Sequence, residues 1–364
     1  MHPASSAGRS DKHVYATLDG IRGVAAALIA IRHAGPLFPG WDFPHSALAV
    51  DLFFVISGFV IASAYDRRLA EGLTPIGFMR IRLNRLYPLY LAGLLLGFGA
   101  GLLCWMSGTD PRLNAATLAV PLLFGLVLLP SPYGWNGETF PLNTPSWSLF
   151  FELAVNIVYA LAFPFVTTRR LALIAGVAGA VLLILTVRGQ SLAEGHDWQH
   201  FFTGFVRVTY SFAVGLLLFR LPRRIMPSSP LVLLVLALAA ATLAAPGLGA
   251  WYPLVAITLW MPALVLLGTM VQPGPLLRRA CLLLGSVSYP LYVLHAPAAV
   301  ILLWSLGALG IAQPGVGIGL AFLAAMLPAA LLADRVIGAW GAQLGQALRP
   351  AGRERVPAQT SSAA

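Results

Sequence analysis

The chain has 364 residues, of which 58% are hydrophobic and only 10% charged, with a formal net charge of +10. A soluble globular chain carries roughly 25% charged residues, and a mean hydropathy of +0.81 leaves too little polar surface to cover a water-soluble fold. A soluble enzyme and a disordered chain are both excluded, and an all-α polytopic membrane protein remains.

Residues 1–14 form a polar tail with a basic stretch from Arg9 to His13 and no apolar run before it. No cleavable signal peptide is expected, so the first helix acts as its own insertion signal. Apolar segments follow near 18–36, 46–66, 84–106, 115–130, 146–167, 170–188, 201–220, 230–246, 250–272, 282–306 and 316–338. The stretch 15–340 is read as one membrane domain, and 341–364, rich in Ala, Ser, Pro and Arg, as a disordered tail.

The basic residues, arginine in every case but Lys12, fall in short clusters between the apolar runs. That pattern marks cytoplasmic loops and argues against a nucleic-acid partner. With the N-terminus inside, Arg67, Arg68, Arg80, Arg82 and Arg85 lie inside. If 115–130 crosses, every later cluster falls on the wrong side. If it enters and leaves on the outer face, Arg169–Arg170, Arg220–Arg224, Arg278–Arg279 and Arg335–Arg355 all fall inside, and only Arg32, Arg112, Arg188 and Arg207 do not. The segment is also short for a span and is bounded by Pro121 and Pro130. The expectation is therefore about ten transmembrane helices, one non-spanning outer segment and both termini cytoplasmic, with the loop 131–144 outside.

Ionisable residues inside a bilayer are costly and mark function by default. Arg22 and His33 are eleven residues apart on the first segment, roughly 16 Å along one helix face. One end offers an anion-binding charge near the inner face, the other an acid/base group past the midplane. An inner-leaflet anchor and a buried, hydrogen-bonded histidine are the plainer alternatives. Asp51 opens the second segment, within reach of His33 across a hairpin, either orienting the imidazole or capping its own helix. Ser57 and Gly58 are read as close-packing residues. Arg82 and Arg85, at i and i+3, share a face that suits a phosphate clamp or a lipid anchor. Trp147, Ser148 and Glu152 enter a helix from the outer side, and Glu152 needs a partner, with His33, Arg32 or Arg207 as candidates. Arg207 and His295 are further isolated ionisable groups, the latter read as a structural hydrogen bond. Cys104 and Cys281 are read as small core residues, with no disulfide or metal site. No G-x-S-x-G elbow, H-E-x-x-H, Walker loop or dinucleotide fingerprint occurs.

LDGIRGVAAALIAIRH, AVDLFFVISGFVI, RIRLNRLYPLYL, PSWSLFFELAVNIVYALAFP and SYPLYVLHAP, in this order, resemble membrane acyltransferase family 3. Its members O-acylate polysaccharides, lipopolysaccharide, peptidoglycan and some macrolides. The resemblance covers roughly residues 15–340. It departs from the family pattern at Asp334–Arg335, which lack the usual following proline, and no esterase-like domain is seen. It implies a multi-pass protein of the bacterial cytoplasmic membrane. An acyl group, by expectation acetyl, would move from cytoplasmic acyl-CoA to a hydroxyl of a carbohydrate, glycolipid or macrolide acceptor on the outer side. Acyl-CoA is then a donor substrate, with no tightly bound cofactor. Arg22, Arg82 and Arg85 would bind the phosphates of coenzyme A. His33 would be the general base or acyl carrier, Glu152 or Asp51 would orient it, and Trp147, Ser148 and Arg207 would lie on the acceptor side. A transporter without chemistry is the rival reading.

Overall fold

The computed structural model describes residues 14–338, so the expected C-terminal tail and nearly all of the N-terminal one lie outside the described residues. Twelve α-helices follow in order: α1 Ala16–His33, α2 Ala49–Ala70, α3 Pro75–Met106, α4 Ala115–Leu126, α5 Ser146–Ala162, α6 Thr168–Val187, α7 Phe201–Arg220, α8 Ser229–Ala244, α9 Trp251–Val255, α10 Met261–Met270, α11 Pro275–Ala308 and α12 Val316–Ala333. A π-helical turn, Ala256–Trp260, joins α9 to α10 into one continuous rod. Among the described residues the only strands are Met226–Pro227 and Val271–Gln272, paired in parallel. The chain is thus an all-α polytopic membrane protein.

Among the described residues, eight helical rods are long and apolar enough to cross a membrane: those containing α2, α3, α5, α6, α7, α9 with α10, α11 and α12. Helix α1 falls outside that set because Asp19, Arg22 and Arg32 lie on it, and α8 because it has 16 residues. Leucine, isoleucine and valine side chains such as Leu173, Val177, Ile184, Leu233 and Leu320 stand exposed on the outer helices. In water such patches would aggregate; here they are the surface that lipid covers.

Helix α4 has 12 residues, about 18 Å of helix against a hydrocarbon core of about 30 Å. Asn114 and Thr117 close a reciprocal capping box at its start. At its end Leu128 adopts a left-handed conformation at φ 57°, and Leu129 N–H donates back to the Phe124 carbonyl, the reversal that ends a helix in a Schellman motif. Tyr90 and Tyr87 on α3 donate to the carbonyls of Gly125 and Leu126, each at 2.7 Å. Backbone oxygens at the helix end that lipid would leave unpaired are satisfied in this way.

Two faces result. One gathers Arg220 near Thr168, Arg223 against Tyr15 and the strand pair, together with Arg67, Arg68, Arg169, Arg170, Arg278 and Arg279. On the opposite face the loop 131–144 is stitched to the loop 188–200. Thr139 N–H donates to the His196 carbonyl at 2.9 Å, and Trp198 N–H to the Gly137 carbonyl at 3.0 Å. Between them the core is built mainly from α1, α2, α7, α8 and α10. Helix α1 packs chiefly on α11, and α2 on α7. At the α2–α7 crossing, a Cβ on Gly58 would lie 2.2 Å from the Phe212 carbonyl oxygen. The backbones touch there, as small residues permit.

Candidate active site

The arginine pair on α3 divides its work. Thr74 caps the helix by accepting from Gly77 N–H at 3.1 Å, so the register from Pro75 onward is fixed. Arg82 points inward and is buried, whereas Arg85, three residues on, stays exposed. Arg82 Nη2 donates to Glu152 Oε1 at 2.6 Å, and Ser57 Oγ donates to the same oxygen at 2.7 Å. Glu152 therefore finds its partners on α3 and α2. Among the described residues Arg82 Nε is buried without a hydrogen-bond partner, an orphan donor for which an anion is a natural acceptor. Arg22 is half-buried and pairs with Asp19 at 3.3 Å, one turn away on α1.

These groups line a cavity of about 690 Å³, within the range of small-molecule pockets, roughly 300–1,000 Å³. Arg22, Arg85 and Asp334 stand at its arginine-rich mouth, Arg82, Glu152 and Ser57 along its wall, and Phe53, Ser148 and Tyr292 at its inner end. Ser148 Oγ and Tyr292 Oη lie 2.7 Å apart, and Tyr292 donates to the Pro145 carbonyl at 2.9 Å. Phe53 meets the Tyr292 ring edge-to-face, with centroids 5.7 Å apart. The pair lines the cavity, whereas His33 and His295 do not. The His295 ring centroid lies 6.1 Å from that of Tyr292.

His33 is the last residue of α1 and keeps exposed surface although protein surrounds it closely. It lies at the end of α1 away from Arg22. Its Nδ1 is 2.7 Å from His295 Nε2, and His295 Nδ1 is 2.8 Å from the Leu291 carbonyl. His295 itself has no exposed surface. Arg32 and His196 are the further charged groups that His33 feels.

Asp51 is turned away from His33. Its two carboxylate oxygens receive Arg207 Nε at 3.0 Å and Nη2 at 2.5 Å, and neither side chain is exposed. Arg207 Nη1 reaches the Glu194 carbonyl at 2.6 Å, and its guanidinium lies 5.5 Å from the Trp147 ring centre. Trp147 is buried against Phe151. The Asp51–Arg207 pair thus anchors the 188–200 loop from below. In that loop His196 Nδ1 pairs with Glu194 Oε2 at 3.1 Å, and Asp197 brings a further carboxylate within 4.8 Å of both. The hydrogen bond that His196 donates to Glu194 raises the His196 pKa above the usual imidazole range. The same bond lowers that of Glu194.

Comparison with known proteins decides the family. Residues 15–335 match the acyltransferase domain of the acyltransferase 3 family. The chain belongs to that family. A putative membrane-bound transacylase, BcsY, of Komagataeibacter xylinus is 30% identical over 78% of this chain and 72% of its own length. A protein of Rhizobium radiobacter named protein 2 in the picA locus is 43% identical over 46% of this chain and 92% of its own. The acyltransferase MdmB of Streptomyces mycarofaciens is 35% identical over 40% of this chain and 36% of its own. No solved structure matches. The protein is a multi-pass membrane acyltransferase that moves groups other than aminoacyl groups.

In this acyltransferase, Arg22, Arg82, Arg85, Ser148 and Glu152 line one space, whereas the sequence reading set Ser148 on the acceptor side and Glu152 beside His33; it did not single out Ser57, Tyr289 or Tyr292 as wall residues. It also paired neither His33 with His295 nor Asp51 with Arg207. A signal was present: Ser288, Tyr292 and His295 are spaced i, i+4, i+7 and so fall on one face of α11. Pro297 lacks an N–H, which leaves the Val293 carbonyl without its helix partner. Asn143 Nδ2 donates to that carbonyl at 2.8 Å. Gly93 on α3 allows the approach, since a Cβ there would lie 2.3 Å from the Val293 oxygen. His295 is held in place by these contacts.

Proposed function

We propose that this acyltransferase moves an acyl group from cytoplasmic acyl-CoA to a hydroxyl of a carbohydrate-type acceptor that enters from the outer side. The reading rests on one observation above others. An arginine-lined cavity reaches the Phe53–Tyr292 pair, and a histidine with exposed surface lies outside it at the end of α1 away from Arg22. Coenzyme A carries a pyrophosphate and a 3′-phosphate, which suit Arg22, Arg85 and the unsatisfied Nε of Arg82. Glu152 then holds Arg82 in register; it does not act on His33. The positive-inside rule assigns the arginine-rich face to the cytoplasm, which gives ten crossings once α1 and α8 are included.

His33 acts as general base. It takes the proton of the acceptor hydroxyl as the oxygen attacks the thioester carbonyl carbon; the carbon–sulfur bond breaks, and the thiolate takes the proton back from the imidazolium. Delivery of the thioester requires the Phe53–Tyr292 pair to part. A carbohydrate-type acceptor is favoured by a relative named as an exopolysaccharide production protein of Rhizobium meliloti. Acetyl is the expected acyl group.

The test is release of free CoA from acetyl-CoA by purified protein supplied with a glycan acceptor. His33→Ala is expected to lower kcat by about 10²–10⁴ while leaving donor binding intact. Arg85→Lys is expected to raise KM for the donor with kcat unchanged, since a point charge does not replace a planar fork. Full activity of a well-folded His33→Ala protein would remove His33 from the reaction.

A further inference from the structure

We propose that His295 is a positioning residue that fixes the tautomer of His33, a neutral counterpart to the carboxylate that orients histidine in other acyl-transfer sites. The inference rests on the assignment of His33 as general base. It begins from a carbonyl oxygen, which only accepts hydrogen bonds. His295 Nδ1 is 2.8 Å from the Leu291 carbonyl, so that nitrogen carries the proton. A neutral imidazole has one donor and one acceptor nitrogen, which makes His295 Nε2 a lone pair. His33 Nδ1 lies 2.7 Å from it and must donate. The proton of His33 is therefore on Nδ1, and Nε2 is left as the basic nitrogen.

Chemistry at Nε2 then proceeds without moving any other proton in the chain. When Nε2 takes the acceptor's hydroxyl proton, His33 becomes an imidazolium whose Nδ1–H still points at the His295 lone pair. When the departing thiolate recovers the proton, both histidines return to their starting state. His295 neither gains nor loses a proton over the cycle. The task falls to a neutral group because both carboxylates that the sequence offered as partners of His33 are engaged elsewhere: Asp51 with Arg207, Glu152 with Arg82 and Ser57. A neutral partner also avoids burying another charge. The two rings are held nearly parallel, 23° apart, with centroids separated by 5.0 Å. His295 is fully buried on α11. Loss of such an orienting partner typically costs about 10- to 100-fold.

Two readouts test this. The first is ¹⁵N spectroscopy of histidine-labelled protein in detergent, in which His33 is one of 7 histidines and is assigned by its disappearance in His33→Ala. The expected spectrum shows His33 protonated at Nδ1 and His295 protonated at Nδ1. His33 protonated at Nε2 in the wild-type protein would overturn the proposal, whatever the variants do. The second compares His295→Leu, which offers no acceptor, with His295→Gln, whose side-chain carbonyl accepts from Nδ1–H. His295→Leu should lower kcat about 10- to 100-fold with donor KM unchanged and release the single tautomer, and His295→Gln should recover most of both. Equal activity and an unchanged His33 signal in His295→Leu would refute the positioning role. An active His33→Ala protein would instead sink the general-base assignment, and the spectrum would still report on the pair.

Discussion

Asp51→Asn should destabilise the protein without disabling the chemistry of the molecules that remain folded. Arg207 cannot be deprotonated, and in the native fold its side chain is completely buried. Breaking a buried ion pair by removing one partner costs about 3–5 kcal/mol, because the other charge stays buried and uncompensated. Two contacts temper the loss, the bond from Arg207 Nη1 to the Glu194 carbonyl and the Trp147 ring. The expected cost is therefore near the lower end, about 3 kcal/mol, or roughly a hundredfold in the unfolding equilibrium at about 1.4 kcal/mol per factor of ten. Thermal unfolding in detergent, followed by tryptophan fluorescence, measures it. Asp51→Asn combined with Arg207→Gln removes both charges and should recover most of the stability. Specific activity of the folded fraction at low temperature should stay within a few-fold of wild type. If Asp51→Asn leaves stability untouched and abolishes transfer, Asp51 acts on His33 and the pairing described above is wrong.

Enlarging Gly58 to leucine should separate α2 from α7 and destabilise by at least about 1–3 kcal/mol; an unchanged melting profile would mean the crossing is looser than the 2.2 Å approach implies. Tyr292→Phe frees the ring from Ser148 and Pro145, and acyl-CoA hydrolysis in the absence of acceptor should rise, read as CoA release; no rise would argue against Tyr292 as a barrier. The His196–Glu194 pair should make the order of the 188–200 loop depend on pH. The His196 pKa is raised on folding, so its contribution is present below the ordinary imidazole range and fades as pH climbs through the raised value. The Glu194 pKa is lowered, so its share is present above the ordinary carboxylate range and fades on acidification. Each side chain is about a third exposed, and the pair should contribute about 0.2–1 kcal/mol. Hydrogen exchange of the loop should accelerate above neutrality and again in acid, and a flat profile would contradict the pairing.

Periodicity and charge made much of this architecture legible. The Arg22–His33 spacing, the arginine asymmetry and the shortness of 115–130 all depend on local geometry that a helix fixes by itself. Side-chain partners across helices were less accessible, because sequence neighbours need not be spatial neighbours. Helices α1 and α2 look like a hairpin, yet residues 34–48 let them part, α1 to pack on α11 and α2 on α7. The Gly58–Gly215 contact settles Asp51's partner: Asp51 and Arg207 each lie about two turns before that crossing, on faces that meet. For Glu152 the same limit applied. Its depth on α5 showed that it needed a partner, but only the packing of α3 and α2 chose Arg82 and Ser57 over His33.

Sidedness of the donor is the most direct test. Reporter cysteines are introduced by Tyr133→Cys and Thr168→Cys in a Cys104→Ala background, in which the remaining Cys281 is buried, and the protein is reconstituted in vesicles whose orientation an impermeant thiol reagent reports. Acetyl-CoA should be consumed only when it is supplied on the side where Thr168→Cys is labelled, and the acetylated acceptor should form on the side where Tyr133→Cys is labelled. Consumption of acetyl-CoA from the Tyr133 side would contradict transfer from the arginine-lined cavity to an acceptor at His33.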